Sequence, residues 1–211
     1  MKVVISAGPT REKLDIIRFF SNRSSGKMGY ALANAAVERG WDVVLVSGPV
    51  CLTPPDKLRF ISVESAAEMS QAVKEEAVDA DLVIMAAAVA DFTPAKTADH
   101  KIKKTSGNLI VELERTEDIL RSLGQSKPEG QVLVGFAAES EDLLENAKGK
   151  MLKKNLDWIA ANDISSPESG FAVDQNAVTM LSKNGDIISI PRDDKIRIAE
   201  KILDVVTRSF S

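Results

Sequence analysis

KVVIS (residues 2–6), GKMGYALANAAVERG (residues 26–40) and DVVLVS (residues 42–47) follow one another along the chain. The two β-branched runs have the length and composition of buried strands. Between them, apolar residues recur at helical spacing and predict a helix that Gly40 ends. A strand, a helix and a second strand at this spacing predict a βαβ unit, in which the two strands are parallel.

The same alternation continues along most of the chain. Further strands are predicted at 58–62, 82–87, 132–137 and 158–161, and further helices at about 65–78, 141–155 and 193–208. Ser65, followed three residues later by Glu68, is a capping box that opens the helix at 65–78. We therefore predict an α/β fold with a parallel sheet flanked by helices.

Two regions break the alternation. Residues 90–130 predict a small inserted lobe, with a short strand at Leu109 to Leu113 and a short helix near Glu117 to Leu123. Residues 177–190 predict a C-terminal β-hairpin that turns at Asn184-Gly185. With no repeat or linker, residues 1–211 are expected to form a single domain.

Composition excludes several classes of protein. The 211 residues are 44% hydrophobic, as in an ordinary globular protein, and the longest apolar stretch, around Leu82 to Ala90, is too short to span a bilayer. The net charge of −4 does not suggest nucleic-acid binding. With one cysteine, Cys51, and one histidine, His100, a disulfide framework, a Cys- or His-based zinc site and Ser-His-Asp chemistry are disfavoured. The N-terminus lacks the pattern of a signal peptide, so we expect a cytoplasmic location.

SAGPT (residues 6–10) follows the first predicted strand. Ligands of open parallel sheets bind outside the carboxyl ends of the strands. Gly8 would let the backbone approach a phosphate there, although a plain turn after the strand explains the same residues.

SNRSSGKMG (residues 21–29) precedes the first predicted helix. It places at the helix N-terminus a polar set: Asn22, Ser24, Ser25, Gly26 and Lys27. Free amides and the positive end of the helix dipole form an anion site there. The segment is neither a Walker A loop nor G-x-G-x-x-G, which weakens a dinucleotide interpretation. A capped helix explains part of the set but not Asn22 and Lys27 together.

Three further segments allow both a functional and a structural interpretation. AAAVADFTP (residues 86–94) ends a strand with small residues, and Asp91 could meet a sugar hydroxyl or a metal, or simply sit in a turn. KIKK (residues 101–104) could be a lysine lid over a polyphosphate or a solvated charge run. Lys150 and Lys154 share one helix face, where they could bind an anion or interact with the helix dipole.

Taken in order, the motifs resemble those of the bacterial phosphopantothenoylcysteine synthetases. The matching segments are SAGPT, SNRSSGKMG, AAAVADF, KIKK, VGFAAE (134–139), KKNLD (153–157) and ANDI (161–164). Each motif alone is weak, but together they span nearly the whole chain and are specific.

The resemblance implies a Rossmann-like core, a homodimer and a two-step ligase of coenzyme A synthesis. CTP would activate 4′-phosphopantothenate as an acyl-cytidylate, and L-cysteine would then displace CMP. Mg²⁺ would be held mainly by the phosphates, so that no metal ligand of the protein is assigned. A flavin-dependent decarboxylase would be a fused or separate partner, and no flavin is expected in this chain.

The resemblance also implies roles for individual residues. Asn22 would act on the acyl-cytidylate and, with Ala88, bind the substrate, and Lys101 would contact the nucleotide and be needed for activity. Phe136 would lie beside the cytosine. The remaining nucleotide-binding residues would be Gly8, Ser24, Ser25, Gly26, Lys27, Ala87, Ala88, Asp91, Glu117, Asp118, Ile119, Leu120, Lys150 and Lys154.

Two other functions stay open on the residues alone. One is an NAD(P)-dependent reductase on the same fold, which the absent glycine fingerprint disfavours; Asn34 also stands where a Tyr-x-x-x-Lys pair starting at Tyr30 would need lysine. The other is a non-catalytic nucleotide-binding protein, which would leave Asn22 and the two lysine clusters unexplained.

Overall fold

The computed structural model describes residues 1–104, 106–139, 142–163 and 175–210. The strands are β1 (Lys2–Ala7), β2 (Arg11–Lys13), β3 (Phe19–Ser21), β4 (Asp42–Ser47), β5 (Arg59–Ser62), β6 (Leu82–Met85), β7 (Phe92–Pro94), β8 (Leu113–Arg115), β9 (Val132–Glu139), β10 (Trp158–Asp163), β11 (Gln175–Ser182) and β12 (Ile187–Asp194). The helices are α1 (Lys27–Glu38), α2 (Ala66–Ala77), α3 (Ile119–Ser126), α4 (Leu143–Lys153) and α5 (Lys195–Val206), followed by a 3-10 turn, Thr207–Phe210. Three predicted segments extend beyond the described residues. They are the helix at 141–155 at position 141, the motif ANDI at position 164, and the single domain at position 211.

The main sheet has eight strands in the order β12-β11-β10-β9-β6-β1-β4-β5. From β5 to β10 every neighbouring pair is parallel, and only the β11–β12 hairpin adds antiparallel strands. Numbered among themselves in chain order, the parallel strands are arranged 3-2-1-4-5-6, which is the Rossmann order. The predicted fold class and the C-terminal hairpin are confirmed.

Helices cover both faces of this sheet. One buried cluster joins the sheet to α1 and α5, and a second joins it to α2, α3 and α4. Ser65 caps α2 as predicted, because its Oγ accepts the Glu68 N–H at 3.2 Å. Gly29 lets α1 approach β1 closely, since a Cβ on Gly29 would lie 2.5 Å from the Cβ of Ala7.

The inserted lobe corrects one prediction. The short strand expected at Leu109 to Leu113 is wrong: the strand is β8, Leu113–Arg115, which pairs with β7. Residues 109–112 lie beyond the reach of the three-residue β7, and Ile110 is 90% exposed. Two bounds also shift, because the strand predicted at 82–87 ends at Met85 and the helix predicted from Glu117 begins at Ile119.

No sequence pattern predicted the β2–β3 hairpin, which is inserted between β1 and α1. Its strands pair through Arg11↔Ser21 and Lys13↔Phe19. No glycine makes its turn. Instead, the carboxylate of Asp15 accepts the backbone N–H groups of Ile17 and Arg18, both at 2.8 Å. The hairpin ends beside Asn22, so it helps to place the first residue of the predicted site.

Candidate active site

A cavity of about 610 Å³ opens at the carboxyl edge of the parallel strands. The start of α1, the ends of β6, β9 and β10, and the starts of α3 and α5 form its walls. Fourteen of the seventeen predicted site residues line it: Asn22, Ser24, Ser25, Gly26, Lys27, Ala87, Ala88, Asp91, Glu117, Asp118, Ile119, Leu120, Phe136 and Lys154. Residues far apart in sequence therefore meet at the edge where the topology predicts a ligand.

The start of α1 forms an anion-binding wall of the cavity. Gly26, with a φ of 76°, turns the chain into the helix at Lys27, and no side chain caps it. The first turn holds no acidic residue. The hydroxyl of Ser24 accepts the Gly26 N–H at 3.3 Å, which shapes the approach to the helix. The amides of the first turn, the helix dipole and Lys27 together favour a phosphate at this wall.

Asn22 does not cap α1. Its Nδ2 donates to the carbonyl oxygens of Ala88 and Val89, both at 3.1 Å. The side chain thus ties the end of the β2–β3 hairpin to the segment that follows β6. The simpler interpretation, in which Asn22 only caps the first helix, does not match this geometry.

The segment after β6 is both tightly packed and part of the cavity. Ala87 N–H donates to Ser6 Oγ at 3.2 Å, and Ala88 N–H donates to the carbonyl of Gly8 at 2.8 Å. Ala90 N–H donates to Thr10 Oγ1 at 2.9 Å. These bonds hold the small side chains of the segment against β1 and leave room for a ligand above them. Asp91 is exposed on the rim of the cavity.

Glu117 and Asp118 fix the opposite wall. The Glu117 carboxylate accepts hydrogen bonds from Lys74, Ser70 and Ser122, and these bonds, that of Lys74 above all, lower its pKa to about 2. Asp118 Oδ1 accepts the N–H of Arg121 at 3.1 Å and so caps α3.

Lys154 is held over the same wall by an ion pair. Its Nζ lies 2.9 Å from Asp118 Oδ1. Lys154 stands just after α4, and its N–H bonds to the carbonyl of Lys150 at 3.0 Å, so the predicted four-residue spacing is helical. Lys154 points a positive charge toward the cavity, whereas Lys150 lies outside the lining.

Three polar residues that the sequence did not single out form the far end of the cavity. Asn162 follows the apolar run of β10, and its buried Oδ1 has no hydrogen-bond partner among the described residues. Asn176 of β11 and Lys195 of α5 are 6% and 8% exposed. A polar residue that ends an apolar strand was a usable signal for Asn162. Lys195 offered none, because lysine at a helix start is ordinary on a surface.

Gly8 and Lys101 are not brought to the lining. Gly8 lies below the cavity beside Gly48 and Val50, where its backbone holds the β6 exit. Lys101 is exposed on a loop that contacts the β2–β3 hairpin. Within the described ranges, no group of three His, Cys, Asp or Glu side chains could hold a metal ion. No helix in that part of the chain is long and apolar enough to cross a membrane.

The model of the family called DNA/pantothenate metabolism flavoprotein C-terminal domain matches residues 1–210. This chain belongs to that family. It is 51% identical over 205 residues to the coenzyme A biosynthesis bifunctional protein CoaBC of Bacillus subtilis (strain 168), covering 97% of this chain and 50% of that protein. The chain thus spans about half the length of its curated relatives.

Two solved structures share the fold over nearly the whole chain. The crystal structure of the C-terminal domain of a coenzyme A biosynthesis bifunctional protein CoaBC superposes with a TM-score of 0.85, at 42% identity, over 99% of this chain and 95% of that one. A Cab2 variant in complex with phosphopantothenate-cysteine superposes with a TM-score of 0.79 over 99% of this chain and 86% of that one. At 22% identity, the second likeness concerns the fold alone.

Proposed function

We propose that the chain is a CTP-dependent phosphopantothenate–cysteine ligase of coenzyme A synthesis. The observation that carries the proposal is the composition of the cavity. The N-terminus of α1, which no side chain caps, and Lys27 line it together with the small residues after β6, to which Asn22 is hydrogen-bonded. Membership of the family and the coenzyme A biosynthesis proteins among its relatives support the same function.

The nucleotide would lie along the cavity. Its phosphates suit the start of α1, where amides, the helix dipole and Lys27 offer positive charge, and Lys154 adds a second cation from the other wall. Phe136 offers an apolar surface for the base, and Asp91 on the rim can accept from a ribose hydroxyl. A Mg²⁺ would arrive on the phosphates and neutralise their charge.

Activation would need positioning and charge more than a covalent group of the protein. A carboxylate oxygen of phosphopantothenate attacks the α-phosphorus, the bond from that phosphorus to the bridging oxygen breaks, and pyrophosphate leaves. Lys27 and Lys154 are placed to offset the charge that moves onto the leaving group. Lys101 lies outside the cavity. Its part in this step therefore requires the β2–β3 hairpin and the loop bound to it to move in together, or a second copy of the chain to supply Lys101.

Amide formation would follow at the same place. The cysteine nitrogen attacks the acyl carbon, the bond from that carbon to the CMP oxygen breaks, CMP leaves and a proton passes to water. Asn22 lies beside the segment that follows β6, where its Nδ2 donates to the carbonyl oxygens of Ala88 and Val89. To donate to the acyl oxygen, Asn22 must share or exchange one of these bonds when the substrate binds.

Two neighbouring hairpins support the proposed homodimer. β2 and β7 lie side by side. The two hairpins expose large apolar side chains: Ile16, Ile17, Phe19, Phe20, Phe92 and Leu113. Such a patch is typical of an interface. A decarboxylase partner, fused or separate, fits the bifunctional relatives, and a cytoplasmic location completes the proposal.

Pyrophosphate release tests the function directly. The chain is incubated with Mg²⁺, CTP, phosphopantothenate and L-cysteine, and pyrophosphate and the amide product are followed separately. We expect both with cysteine, and pyrophosphate without amide when cysteine is left out. No pyrophosphate above the level without enzyme contradicts the proposal, and NADPH fluorescence then tests the reductase.

Base choice is tested by the same assay. If Phe136 packs on the cytosine and groups at the strand ends bond its edge, a purine leaves those groups unpaired, which can discriminate by orders of magnitude. We expect CTP to react at least about a hundredfold faster than ATP at equal concentration. Comparable rates would show that the enzyme does not select the base in this way.

A further inference from the structure

The β2–β3 hairpin is hydrogen-bonded to the loop that contains Lys101. We infer that Asp15, in the turn of that hairpin, is the positioning residue for Lys101 in the activation step. The inference rests on the proposed function, and it concerns a residue that lies outside the cavity lining.

Asp15 uses its two carboxylate oxygens for two different tasks. Oδ1 accepts the N–H groups of Ile17 and Arg18 and closes the hairpin turn. Oδ2 accepts the N–H of Ile102 at 3.0 Å, and also Nε and Nη2 of Arg18 at 3.0 and 2.6 Å. The side chain of Asp15 is fully buried. Closing the turn needs one oxygen, which asparagine or serine would also supply. The second oxygen holds the neighbour of Lys101.

The hairpin holds the loop at several points. Arg18, paired with Asp15, donates from Nη2 to the carbonyl of Ile102 at 3.1 Å, so that both polar backbone groups of Ile102 are bound. Ala98 N–H donates to the carbonyl of Leu14 at 3.0 Å, and Thr97 Oγ1 donates to that of Lys13 at 3.3 Å. The backbone beside Lys101 is therefore fixed while the side chain of Lys101 stays exposed. That arrangement holds Lys101 at one place relative to the hairpin and leaves its ammonium exposed.

The same hairpin also places Asn22. Ser21 Oγ, at the end of β3, donates to the carbonyl of Thr10 at 2.8 Å, and Asn22 follows directly. One short hairpin thus carries Asn22 at its base and holds the Lys101 loop at its turn. The ligase uses these two groups in different steps, so loosening the turn should affect the first step and spare the second.

Asp15→Asn tests the inference. Asparagine keeps one oxygen to accept the N–H groups of the turn, but it replaces the second oxygen by an NH₂ group. This group is a donor and cannot accept from the N–H of Ile102 or the guanidinium of Arg18. We expect the rate of pyrophosphate release to fall about tenfold, as for a displaced catalytic group. In a single turnover, the rate from acyl-cytidylate to amide should stay within about twofold of wild type. In a Lys101→Ala background, Asp15→Asn should add less than about a twofold loss, because the two residues act as one unit.

The matched control is Asp79→Asn. Asp79 also pairs with a cation, Lys2, but at the opposite edge of the sheet, and its loss should leave both rates unchanged. Equal losses in both steps, or losses that multiply with Lys101→Ala, would overturn the positioning role. If Asp15→Asn does not fold, Thr97→Val loosens the same loop. It should slow pyrophosphate release about threefold, and an unchanged rate overturns the inference.

A readout without catalysis separates this inference from the proposed function. Brief trypsin digestion of the native protein, followed by mass spectrometry, reports cleavage after Lys101, Lys103 and Lys104. We expect these cuts to appear several-fold faster in Asp15→Asn than in wild type or Asp79→Asn. Unchanged cleavage means that Asp15 does not hold the loop. If Asp15→Asn is cleaved faster but the wild type releases no pyrophosphate, the ligase proposal is refuted. The conclusion that Asp15 holds the loop is then still supported.

Discussion

The parallel strands and the two hairpins, β2–β3 and β7–β8, are held in different ways. Val3, Val4 and Ile5 of β1 are completely buried, and their neighbours on both sides are strands. The hairpins keep large apolar side chains exposed and are tied to the sheet and to the Lys101 loop mainly by polar contacts. The sheet therefore supplies a fixed edge and an anion site. The hairpins carry groups that can shift when a substrate binds.

The largest expected effect lies where the two regions meet, at Asn22. In Asn22→Asp, an amide that can stabilise the acyl oxygen becomes a carboxylate that repels it, at a cost of about 3–4 kcal/mol in the second step. We expect pyrophosphate release to continue while amide formation slows by roughly two to three decades. A single-turnover assay that follows pyrophosphate and product separately measures both. Product at the wild-type rate would show that Asn22 has no role in the chemistry.

Lys101→Ala tests only the loop that the β2–β3 hairpin holds. Loss of a charge contact to the transition-state phosphates costs about 3 kcal/mol, so we expect pyrophosphate release to fall about a hundredfold. The matched control is Lys104→Ala, which removes an equal charge from the same loop. Similar losses in the two variants would mean that the loop acts only by its total charge, and near-normal release in Lys101→Ala would remove Lys101 from the site.

Sequence patterns predicted the fixed region well and the hairpins poorly, for a physical reason. The periods of β1, α1 and β4 are local, so the sequence shows them without the partners. Because parallel strands end at one edge, the site residues that follow β6 and precede α1 could be predicted to meet. The β2–β3 turn depends on the carboxylate of Asp15 rather than on glycine. β8 is fixed by its partner β7, which no local pattern in residues 109–113 shows.

The far end of the cavity shows the same limit. Asn162, Asn176 and Lys195 come from a strand, a hairpin and the last helix, and each has an ordinary structural explanation in its own segment. The packing of α5 against α1, β11 and β12 brings Lys195 to the cavity. Lys101 shows the converse. Its motif predicts a nucleotide contact, while its position outside the cavity depends on the loop's contacts with the hairpin.

The smallest effect is expected in the fixed region, at Asp157. Burial opposes its ionisation, but hydrogen bonds from Lys127, Lys183 and the N–H of Leu133 hold its pKa below the usual range. A lowered folded pKa means that this contribution to stability is present above the unfolded pKa of about 3.9 and is lost as the pH falls through the folded value.

Asp157→Asn leaves the buried ammonium of Lys127 unpaired, so we expect a loss of about 2 kcal/mol at pH 7, measured by urea unfolding. As the pH falls below the unfolded pKa of about 3.9 and then through the folded value, the difference from wild type should shrink. Both half-reactions per folded molecule should stay at wild-type rates, since Asp157 directly precedes β10, at the amino end of the strand, and does not line the cavity. If Asp157→Asn keeps wild-type stability but slows either half-reaction, Asp157 acts in the chemistry, and the contrast between a sheet that supplies stability and hairpins that carry reacting groups is wrong.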